Sequence, residues 1–237
     1  MIQKVSKILK KSITLLPKFG PKIIQQLVFI GAGTLLMGLF IKLSFNMFFD
    51  AKDARLLQSW DDLILIWIGQ HRSLALTRIA VDLTSLGSST VVGLLVAIFI
   101  LVFAMVKDWF AVIHLIAVSL GAGSCALAFK ELLERARPTT IAPLVEVTGF
   151  SFPSGHSLAA TAIYLTFAIL SARHFTSVKQ RAAIFLLAAF VSLLIGLTRI
   201  YLGVHYPTDV ASGMLLGSAL AFLAAAGTLE LTRRIAE

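Results

Sequence analysis

Three short segments of the sequence carry side chains that can bind and transfer a phosphate group. Together they supply three cations, two histidines and one carboxylate, each beside an apolar run long enough to cross a bilayer. The segments are Lys130 with Arg137-Pro138, Pro153-Ser154-Gly155-His156, and Arg199 with His205 and Asp209. A guanidinium group can form bidentate hydrogen bonds to two phosphate oxygens, and an imidazole can act as a nucleophile or as an acid. The set is therefore typical of phosphoryl-group chemistry at a membrane surface.

The first segment presents two cations on one side of a predicted helix. Lys130 and Arg137 are seven residues apart, which is two helical turns, so both can point toward one anion. Pro138 disfavours helix at the residue before it, which predicts that the span ends near Arg137. Arg135 lies off this face and is assigned to lipid headgroups. A single cation at a helix end more often snorkels to headgroups, so the argument depends on the whole set.

The second segment predicts a helix N-terminus that can hold an anion. Ser154 is a suitable N-cap, and Gly155 lets an anion approach the unpaired backbone N–H groups at the positive end of the helix dipole. His156 then lies in the first turn and points at that anion. A histidine at such a place is more often a helix-start or interfacial residue, but beside an anion site we interpret it as catalytic.

The third segment joins a histidine to a carboxylate at the start of the last span. His205 and Asp209 are four residues apart, so the carboxylate can accept the Nδ1–H and leave Nε2 free. The alternative is an ordinary histidine and acid at a helix start, where acids are favoured in any case. Arg199, at the end of the preceding span, adds a third cation. Three snorkelling cations would not require two histidines at the same end of the bundle, which favours the functional interpretation.

The composition is that of a membrane protein. Of the 237 residues, 58% are hydrophobic and 14% are charged, and the mean hydropathy is +0.90. The formal net charge is +9, but six of the 21 lysines and arginines fall within the first 22 residues, beside an apolar span. Such a cluster indicates a topology signal and contact with anionic lipids rather than nucleic-acid binding. The single cysteine, Cys125, excludes an intramolecular disulfide and a cysteine metal site.

Apolar runs predict an all-α, polytopic fold of six transmembrane helices. The predicted spans cover about residues 24–48, 86–106, 109–133, 155–172, 181–201 and 208–229. Between the first two spans, apolar side chains recur at helical spacing, which predicts an interfacial helix or a short helix packed on the bundle. These side chains are Leu56, Trp60, Ile64 and Trp67. Nothing marks a domain boundary, so residues 24–237 are expected to form one transmembrane domain after a basic cytoplasmic segment, residues 1–23.

Loop charge predicts the orientation of the bundle. A cytoplasmic N-terminus places the basic loop at residues 173–181 and the basic end at residues 233–234 on the same side, as the positive-inside rule requires. The whole phosphate-binding set then falls on the extracytoplasmic face of the cytoplasmic membrane. Gly213 and Gly217 form a GxxxG pattern, which predicts close packing on another helix of the bundle and does not decide an oligomeric state.

In this order and spacing, the three segments resemble the signature motifs of the type-2 phosphatidic acid phosphatase family. The matching motifs are Lys130-x6-Arg137-Pro138, Pro153-Ser154-Gly155-His156 and Arg199-x5-His205-x3-Asp209, and the resemblance covers roughly residues 85–230. Membrane members of the family have six helices with the site on one face. Thr198 stands where the third motif usually begins with serine, and it keeps the hydroxyl group.

The resemblance implies a lipid phosphate or pyrophosphate phosphatase that needs no metal and no cofactor. By resemblance, His205 attacks phosphorus and forms a phosphohistidine, while Asp209 orients and charges the imidazole. His156 would protonate the leaving oxygen and then activate water. The residues that would hold the phosphoryl oxygens are Lys130, Arg137, Ser154, Gly155 and Arg199.

Two other functions stay open at this point. An enzyme of the same kind could pass the phosphate from the histidine to a lipid or sugar hydroxyl instead of water. A transporter or anion-binding membrane protein would also carry charges, but its site is expected near the bilayer midplane rather than at one end. The motifs contact only the phosphate, so four substrates remain: phosphatidylglycerol phosphate, undecaprenyl pyrophosphate, phosphatidic acid and a lipid A phosphate. An outward-facing site favours the first two.

Overall fold

The computed structural model describes residues 21–236, and all of the regular structure in this part of the chain is helical. Its eight helices are α1 (Pro21–Phe48), α2 (Ala51–Gln70), α3 (Leu74–Ser85), α4 (Ser89–Met105), α5 (Trp109–Leu133), α6 (Gly155–Ala172), α7 (Val178–Tyr201) and α8 (Pro207–Ala236). The prediction of an all-α fold is confirmed. The predicted basic segment, residues 1–23, falls almost wholly outside the described residues.

Within residues 21–236, five helices are each long and apolar enough to cross a membrane, namely Ile23–Phe48, Trp109–Leu133, Gly155–Ala172, Val178–Tyr201 and Pro207–Leu231. The pair α3 and α4 adds a sixth span if the two helices, bent by 40° at their junction, are counted as one. The predicted span at 86–106 corresponds to α4. The apolar pattern does not predict α3, because Arg78 and Asp82 interrupt its 12 residues.

The break between α3 and α4 lies against the N-terminal turn of α6. Ser88 begins α4 by accepting a hydrogen bond from the Val91 N–H. A Cβ atom at Gly87 would lie 2.5 Å from Ile195 Cγ2 on α7 and 3.4 Å from His156 Cδ2. A larger residue would have to displace Ile195, so glycine permits this close approach. The break therefore brings the ends of two helices to the place where His156 lies.

α2 has one buried face and one exposed apolar face. Asp50 caps its N-terminus by accepting hydrogen bonds from the N–H groups of Lys52 and Asp53. Asp61 and Leu65 are buried against the bundle. The large apolar side chains that remain exposed are Leu56, Trp60, Leu63, Ile64, Ile66 and Trp67. This division suits a helix that lies along the membrane surface, as predicted.

α6 and α8 form a closely packed pair at the centre of the bundle. A Cβ atom at Gly213 would lie 2.7 Å from the Ser154 carbonyl oxygen, and one at Gly217 would lie 2.6 Å from the Leu158 carbonyl oxygen. The two glycines thus let the helix backbones touch, as the GxxxG pattern predicts. The Ser154 N–H donates to the Asp209 carbonyl oxygen at 3.1 Å. The first turns of both helices are therefore held together at one end of the bundle.

Candidate active site

A cavity of about 610 Å³ opens at this end of the bundle. Six of the eight residues singled out in the sequence line it: Lys130, Arg137, Gly155, His156, Arg199 and His205. The other two, Ser154 and Asp209, are fully buried behind the wall. The fold thus gathers the three sequence segments around one volume.

A larger cavity of about 800 Å³ borders the first on the side of the loop between α5 and α6. The two cavities share Arg137, Val147 and Thr148. Of the described residues, Arg137 is the one cation in the wall of the larger cavity, which also contains the carboxylate of Glu146. The smaller cavity is the better site for an anion, because three cations and both histidines face it.

The carboxylate of Asp209 holds the imidazole of His205 from behind. The Oδ2 atom of Asp209 lies 3.5 Å from His205 Nδ1. The same oxygen accepts hydrogen bonds from Ser151 Oγ at 2.5 Å and from the Tyr206 N–H at 2.9 Å. On the other side of the ring, Nε2 of His205 lies 3.5 Å from Nη1 of Arg137, a cavity-lining group. With its proton on Nδ1, the imidazole therefore presents the lone pair of Nε2 to the cavity, beside Arg137.

The surroundings of His205 keep its imidazole neutral. Burial lowers the pKa of His205 to about 4, although the hydrogen bond and charge of Asp209 act in the opposite direction. The positive charges of Arg137 and Arg199 lower this pKa further. At neutral pH the ring thus retains the lone pair that a nucleophile requires.

Arg137 is held at the mouth of the cavity by backbone carbonyl groups. Its Nη1 donates to the Val204 oxygen at 2.8 Å, and its Nε donates to the Gly149 oxygen at 2.9 Å. Its Nη2 donates to the Thr148 oxygen at 2.9 Å. Burial lowers the pKa of Arg137, but an arginine remains charged at physiological pH. The loop before α6 and the loop before α8 thus fix one cation beside His205.

Lys130 and Arg199 bring two more cations to the wall from the last turns of α5 and α7. The Nζ of Lys130 donates to the Phe150 carbonyl oxygen. Arg199, which is only 4% exposed, donates from Nη1 to Thr84 Oγ1 at 2.9 Å. Its Nε is buried and meets no acceptor among residues 21–236. Its Nη2 likewise has no hydrogen bond to these residues, so the guanidinium that lines the cavity keeps N–H donors for an anion.

The second segment forms the helix start that the sequence predicts. Ser154 is the N-cap of α6, and its Oγ accepts hydrogen bonds from the backbone N–H of Ser157 at 3.4 Å and from the Ser157 hydroxyl at 3.0 Å. The hydroxyl of Ser154 is thus used inside the cap and does not line the cavity. Gly155 and His156 do line it, and they bring the first-turn backbone and an imidazole to the wall.

Arg135 does not lie among lipid headgroups, so that assignment is wrong. Its side chain, 12% exposed, donates from Nη1 to Asp209 Oδ1 at 2.6 Å and from Nη2 to Asp61 Oδ2 at 2.8 Å. α5 ends at Leu133, and Glu134 has a left-handed φ of 43°. The helical spacing of α5 therefore does not extend to residue 135, and the direction of the Arg135 side chain cannot be derived from it.

Two further residues around the histidine were missed in the sequence. Ser151 bonds Asp209 and lies 3.3 Å from His205 Nδ1, yet it is one serine in an irregular loop with no pattern of its own. Asp61 reaches the site from α2, and its partner Thr208 is 147 residues away. Among the described residues, no three His, Cys, Asp or Glu side chains form a group that could hold a metal ion.

Comparison with known proteins assigns the family. Residues 110–233 match the PAP2 superfamily, and the chain belongs to this superfamily. The crystal structure of a transmembrane PAP2-type phosphatidylglycerolphosphate phosphatase from Bacillus subtilis superposes with a TM-score of 0.74 and 30% sequence identity. The superposition covers 86% of this chain and 96% of that one. This chain is accordingly a multi-pass membrane protein.

Similar sequences among characterised proteins are phosphatases by name. Phosphatidylglycerophosphatase B of Bacillus subtilis is 43% identical over 95 residues, which cover 40% of this chain and 46% of that protein. The undecaprenyl-diphosphatase of Sulfolobus acidocaldarius is 34% identical over 76 residues, which cover 32% of each protein. The matched stretches thus span less than half of the length of these two relatives.

Proposed function

We propose that this protein is an integral membrane lipid phosphatase that hydrolyses a phosphomonoester or pyrophosphate of a lipid through a phosphohistidine. The observation that carries the proposal is a single cavity in which three cations and two histidines lie beside an apolar wall. The cations suit a phosphate, the histidines supply a nucleophile and an acid, and the apolar wall suits a lipid. The names of the similar proteins support hydrolysis as the reaction.

In the proposed complex, cations surround the phosphoryl oxygens. Lys130, Arg137 and Arg199 provide fixed positive charge, and the backbone N–H of Gly155 adds a donor at the start of α6. Ser154 supports this contact by capping the helix turn that carries Gly155. Negative charge on the phosphoryl oxygens during transfer is then neutralised by fixed groups, which is the largest contribution that a protein makes to this chemistry. No metal ion or cofactor is required for it.

In the first half of the proposed reaction, Nε2 of His205 attacks phosphorus. The N–P bond forms while the P–O bond to the lipid breaks. Asp209 stabilises the positive charge that the imidazole gains. His156 gives its proton to the leaving lipid oxygen, so that the lipid departs as a neutral alcohol or, from a pyrophosphate, as a monophosphate.

In the second half, water replaces the lipid. His156, now neutral, takes a proton from the water molecule as its oxygen attacks phosphorus. The N–P bond breaks, the electron pair returns to Nε2 of His205, and inorganic phosphate leaves. His156 is then protonated again, and both histidines have returned to their starting states.

The apolar wall supports a lipid as the substrate. On α5 it consists of Ala122, Gly123, Ala126 and Leu127. Leu127 is 67% exposed on the outer surface of the bundle, so this wall runs from the cavity to a surface suited to hydrocarbon. A lipid whose phosphate lies among the cations can leave its chains along α5.

We place the site on the extracytoplasmic side of the cytoplasmic membrane, with both termini in the cytoplasm. Arg173, Lys179 and Arg181 are exposed at the end of the bundle opposite the cavity. Asp50 and Asp53 lie at the cavity end, at the start of α2. The positive-inside rule supports this orientation, because six lysines lie within the first 22 residues, before or at the start of α1, and α1 begins at the end away from the site, where Gln26 bonds the Ala226 oxygen near the end of α8.

Phosphatidylglycerol phosphate and undecaprenyl pyrophosphate are the substrates that we put first. Two of the similar proteins, the phosphatidylglycerophosphatase and the undecaprenyl-diphosphatase, are named for these two kinds of substrate, and the present cavity offers both a phosphate site and a lipid-facing wall. Phosphatidic acid and a lipid A phosphate present the same group to the same cations and belong in the same comparison.

Phosphate release by the purified protein in detergent with excess EDTA tests the proposal. The substrates are the four lipids and one water-soluble phosphate ester. Release from a lipid without metal is the expected result, and the ranking of initial rates identifies the preferred substrate. No release from any of them would overturn the proposal. Consumption of the lipid phosphate without free phosphate would instead indicate transfer to another acceptor.

A further inference from the structure

Behind His205, a second group of charged residues is buried between α2, the end of α5 and the start of α8. It consists of Asp61, Arg135 and Asp209, with Thr208 and Gln58 as hydrogen-bond partners. None of these five residues lines the candidate cavity. They therefore do not contact a phosphate there, and any effect they have on the reaction must pass through His205.

The Asp209 carboxylate is held from two sides. Its Oδ2 faces His205, whereas its Oδ1 accepts a hydrogen bond from Nη1 of Arg135 at 2.6 Å. The carbonyl oxygen of Arg135 also accepts the Ser151 N–H at 2.7 Å, and the Ser151 hydroxyl is the group that lies beside Nδ1 of His205. Arg135 thus fixes both groups that face Nδ1, one by its side chain and the other by its backbone.

Asp61 fixes the guanidinium of Arg135 in turn. Its Oδ2 accepts from Nη2 of Arg135 at 2.8 Å and from Thr208 Oγ1 at 2.5 Å. Its Oδ1 accepts the Thr208 N–H at 3.0 Å, which ties α2 to the first turn of α8. The guanidinium also lies over the ring of Tyr206, 4.0 Å from its centroid. A planar fork can bridge two carboxylates in this way, but a lysine ammonium cannot.

The charges of this group depend on Arg135. Asp61 and Asp209 are 1% and 0% exposed, and the guanidinium lies between them. Burial raises the pKa of Asp61, and the bonds from Thr208 and Arg135 oppose that rise. Burial alone would lower the pKa of Arg135, but Asp209 and Asp61 together raise it. Without the guanidinium, two buried carboxylates would repel each other, and one of them would take up a proton.

We infer that Arg135 and Asp61 are positioning residues of the candidate active site, which hold the Asp209 carboxylate and, through it, the His205 imidazole in the orientation for attack. The inference rests on the proposed function. It gives α2, which carries none of the three motifs, a part in the chemistry. It also separates two arginines that are two residues apart, since Arg137 faces the phosphate and Arg135 faces away from it.

Kinetics of three variants of the full chain test the inference: Arg135→Gln, Arg135→Lys and Asp61→Asn. Loss of a residue that orients a catalytic group typically costs about 10- to 100-fold, so we expect kcat of Arg135→Gln to fall by that factor. KM should stay within about threefold, because the cations that bind the phosphate are unchanged. Arg135→Lys should recover part of the loss, since it keeps the charge but cannot bridge both carboxylates.

Two controls distinguish positioning from a general loss of structure. Inhibition by inorganic phosphate should be the same in Arg135→Gln as in the wild type, because the phosphate site is intact. Arg173→Gln removes an Arg–Asp pair of similar length, 2.7 Å to Asp108, at the opposite end of the bundle. This control variant should keep the wild-type kcat.

Several outcomes would overturn the inference. They are an unchanged kcat in Arg135→Gln, a change confined to KM, or an equal loss in Arg173→Gln. If Arg135→Gln does not fold, Arg135→Lys and Asp61→Asn replace it, and wild-type kcat in both would reject the positioning role.

A spectroscopic readout keeps this test separate from the proposed function. The 15N shifts of the His205 ring should report a proton on Nδ1 in the wild type and a mixture of tautomers in Arg135→Gln. Wild-type protein that releases no phosphate would contradict the proposed function alone. Unchanged ring shifts in Arg135→Gln would contradict the positioning role, whether or not the protein is active.

Discussion

A buried or nearly buried arginine lies on each side of His205, but the hydrogen-bond partners of the two arginines differ. On the cavity side, Arg199 keeps an Nε without an acceptor among the described residues, although it is only 4% exposed. On the opposite side, Arg135 is 12% exposed, and its donors meet the carboxylates of Asp61 and Asp209. Burial therefore does not distinguish an arginine that can bind a ligand from one that holds its neighbours. Between these two arginines, the distinction lies in whether the guanidinium lines the cavity or contacts the carboxylates behind His205.

Removal of the His205 imidazole, which lies between these two sides, should have the largest effect on phosphate release. His205→Ala should lower phosphate release by more than about 10³-fold, because the variant lacks the nucleophile. Release is measured in EDTA together with the thermal unfolding midpoint, to show that the variant is folded. His174→Ala, an exposed histidine at the other end of the bundle, is the matched control. Wild-type turnover in His205→Ala would contradict the assigned nucleophile.

On the cavity side, Arg199→Ala should lower kcat/KM by about 10²- to 10³-fold, because one of three charges on the phosphoryl group is lost. Inhibition by inorganic phosphate should weaken in the same variant, whereas it should not change in Arg135→Gln. Arg199→Lys should recover part of both quantities. If inorganic phosphate inhibits Arg199→Ala and Arg135→Gln equally, the two arginines do not differ in their contribution to phosphate binding, and the proposed distinction is wrong.

The smallest effect at neutral pH concerns protonation of His205. Its pKa is lowered to about 4 from the ordinary value of 6.5, so the ring is neutral above about pH 4 and becomes charged below it. We expect His205 to contribute no acid limb from pH 7 to 5 to kcat/KM, once this is corrected for ionisation of the substrate and of His156, the proposed acid. Below pH 4 the corrected kcat/KM should fall by about tenfold per unit. An acid limb centred near 6.5 would show that the imidazole is solvated and not enclosed.

The same shift predicts how His205 affects stability. Because the pKa is lower in the folded protein than in the unfolded chain, the unfolded chain binds the proton first as the pH falls. The contribution of His205 to stability is therefore full above pH 6.5 and is lost progressively between 6.5 and 4. This loss should be absent in His205→Ala, and the dependence of the unfolding midpoint on pH measures it.

Features of the site that depend on neighbouring residues could be predicted from the sequence. The start of α6 at Gly155 follows from Ser154 as an N-cap, and the close pair of α6 and α8 follows from Gly213 and Gly217. Apolar runs of sufficient length predicted the spans. The three segments line one cavity or lie directly behind it, and the chemical roles of their residues stay predictions.

Features that depend on contacts between distant segments could not be predicted. Helical spacing puts Arg135 off the Lys130/Arg137 face and predicts contact with lipid headgroups, but the helix ends at Leu133 and the left-handed Glu134 turns the chain. Asp61 has an ordinary place on an amphipathic helix, and its burial becomes explicable only when Thr208, 147 residues away, supplies its partners. A sequence without its fold contains no sign of either contact.

The amphipathic α2 has a practical consequence for how the protein is handled. Trp60, 59% exposed, and Asp61, 1% exposed, are successive residues on one helix. The outer surface of that helix meets whatever amphiphile surrounds the protein, and its inner surface contacts Arg135, which we infer to position His205 through Asp209. On that inference, the turnover rate should differ between micelles and bilayers, and a detergent chosen for solubility also affects the turnover rate.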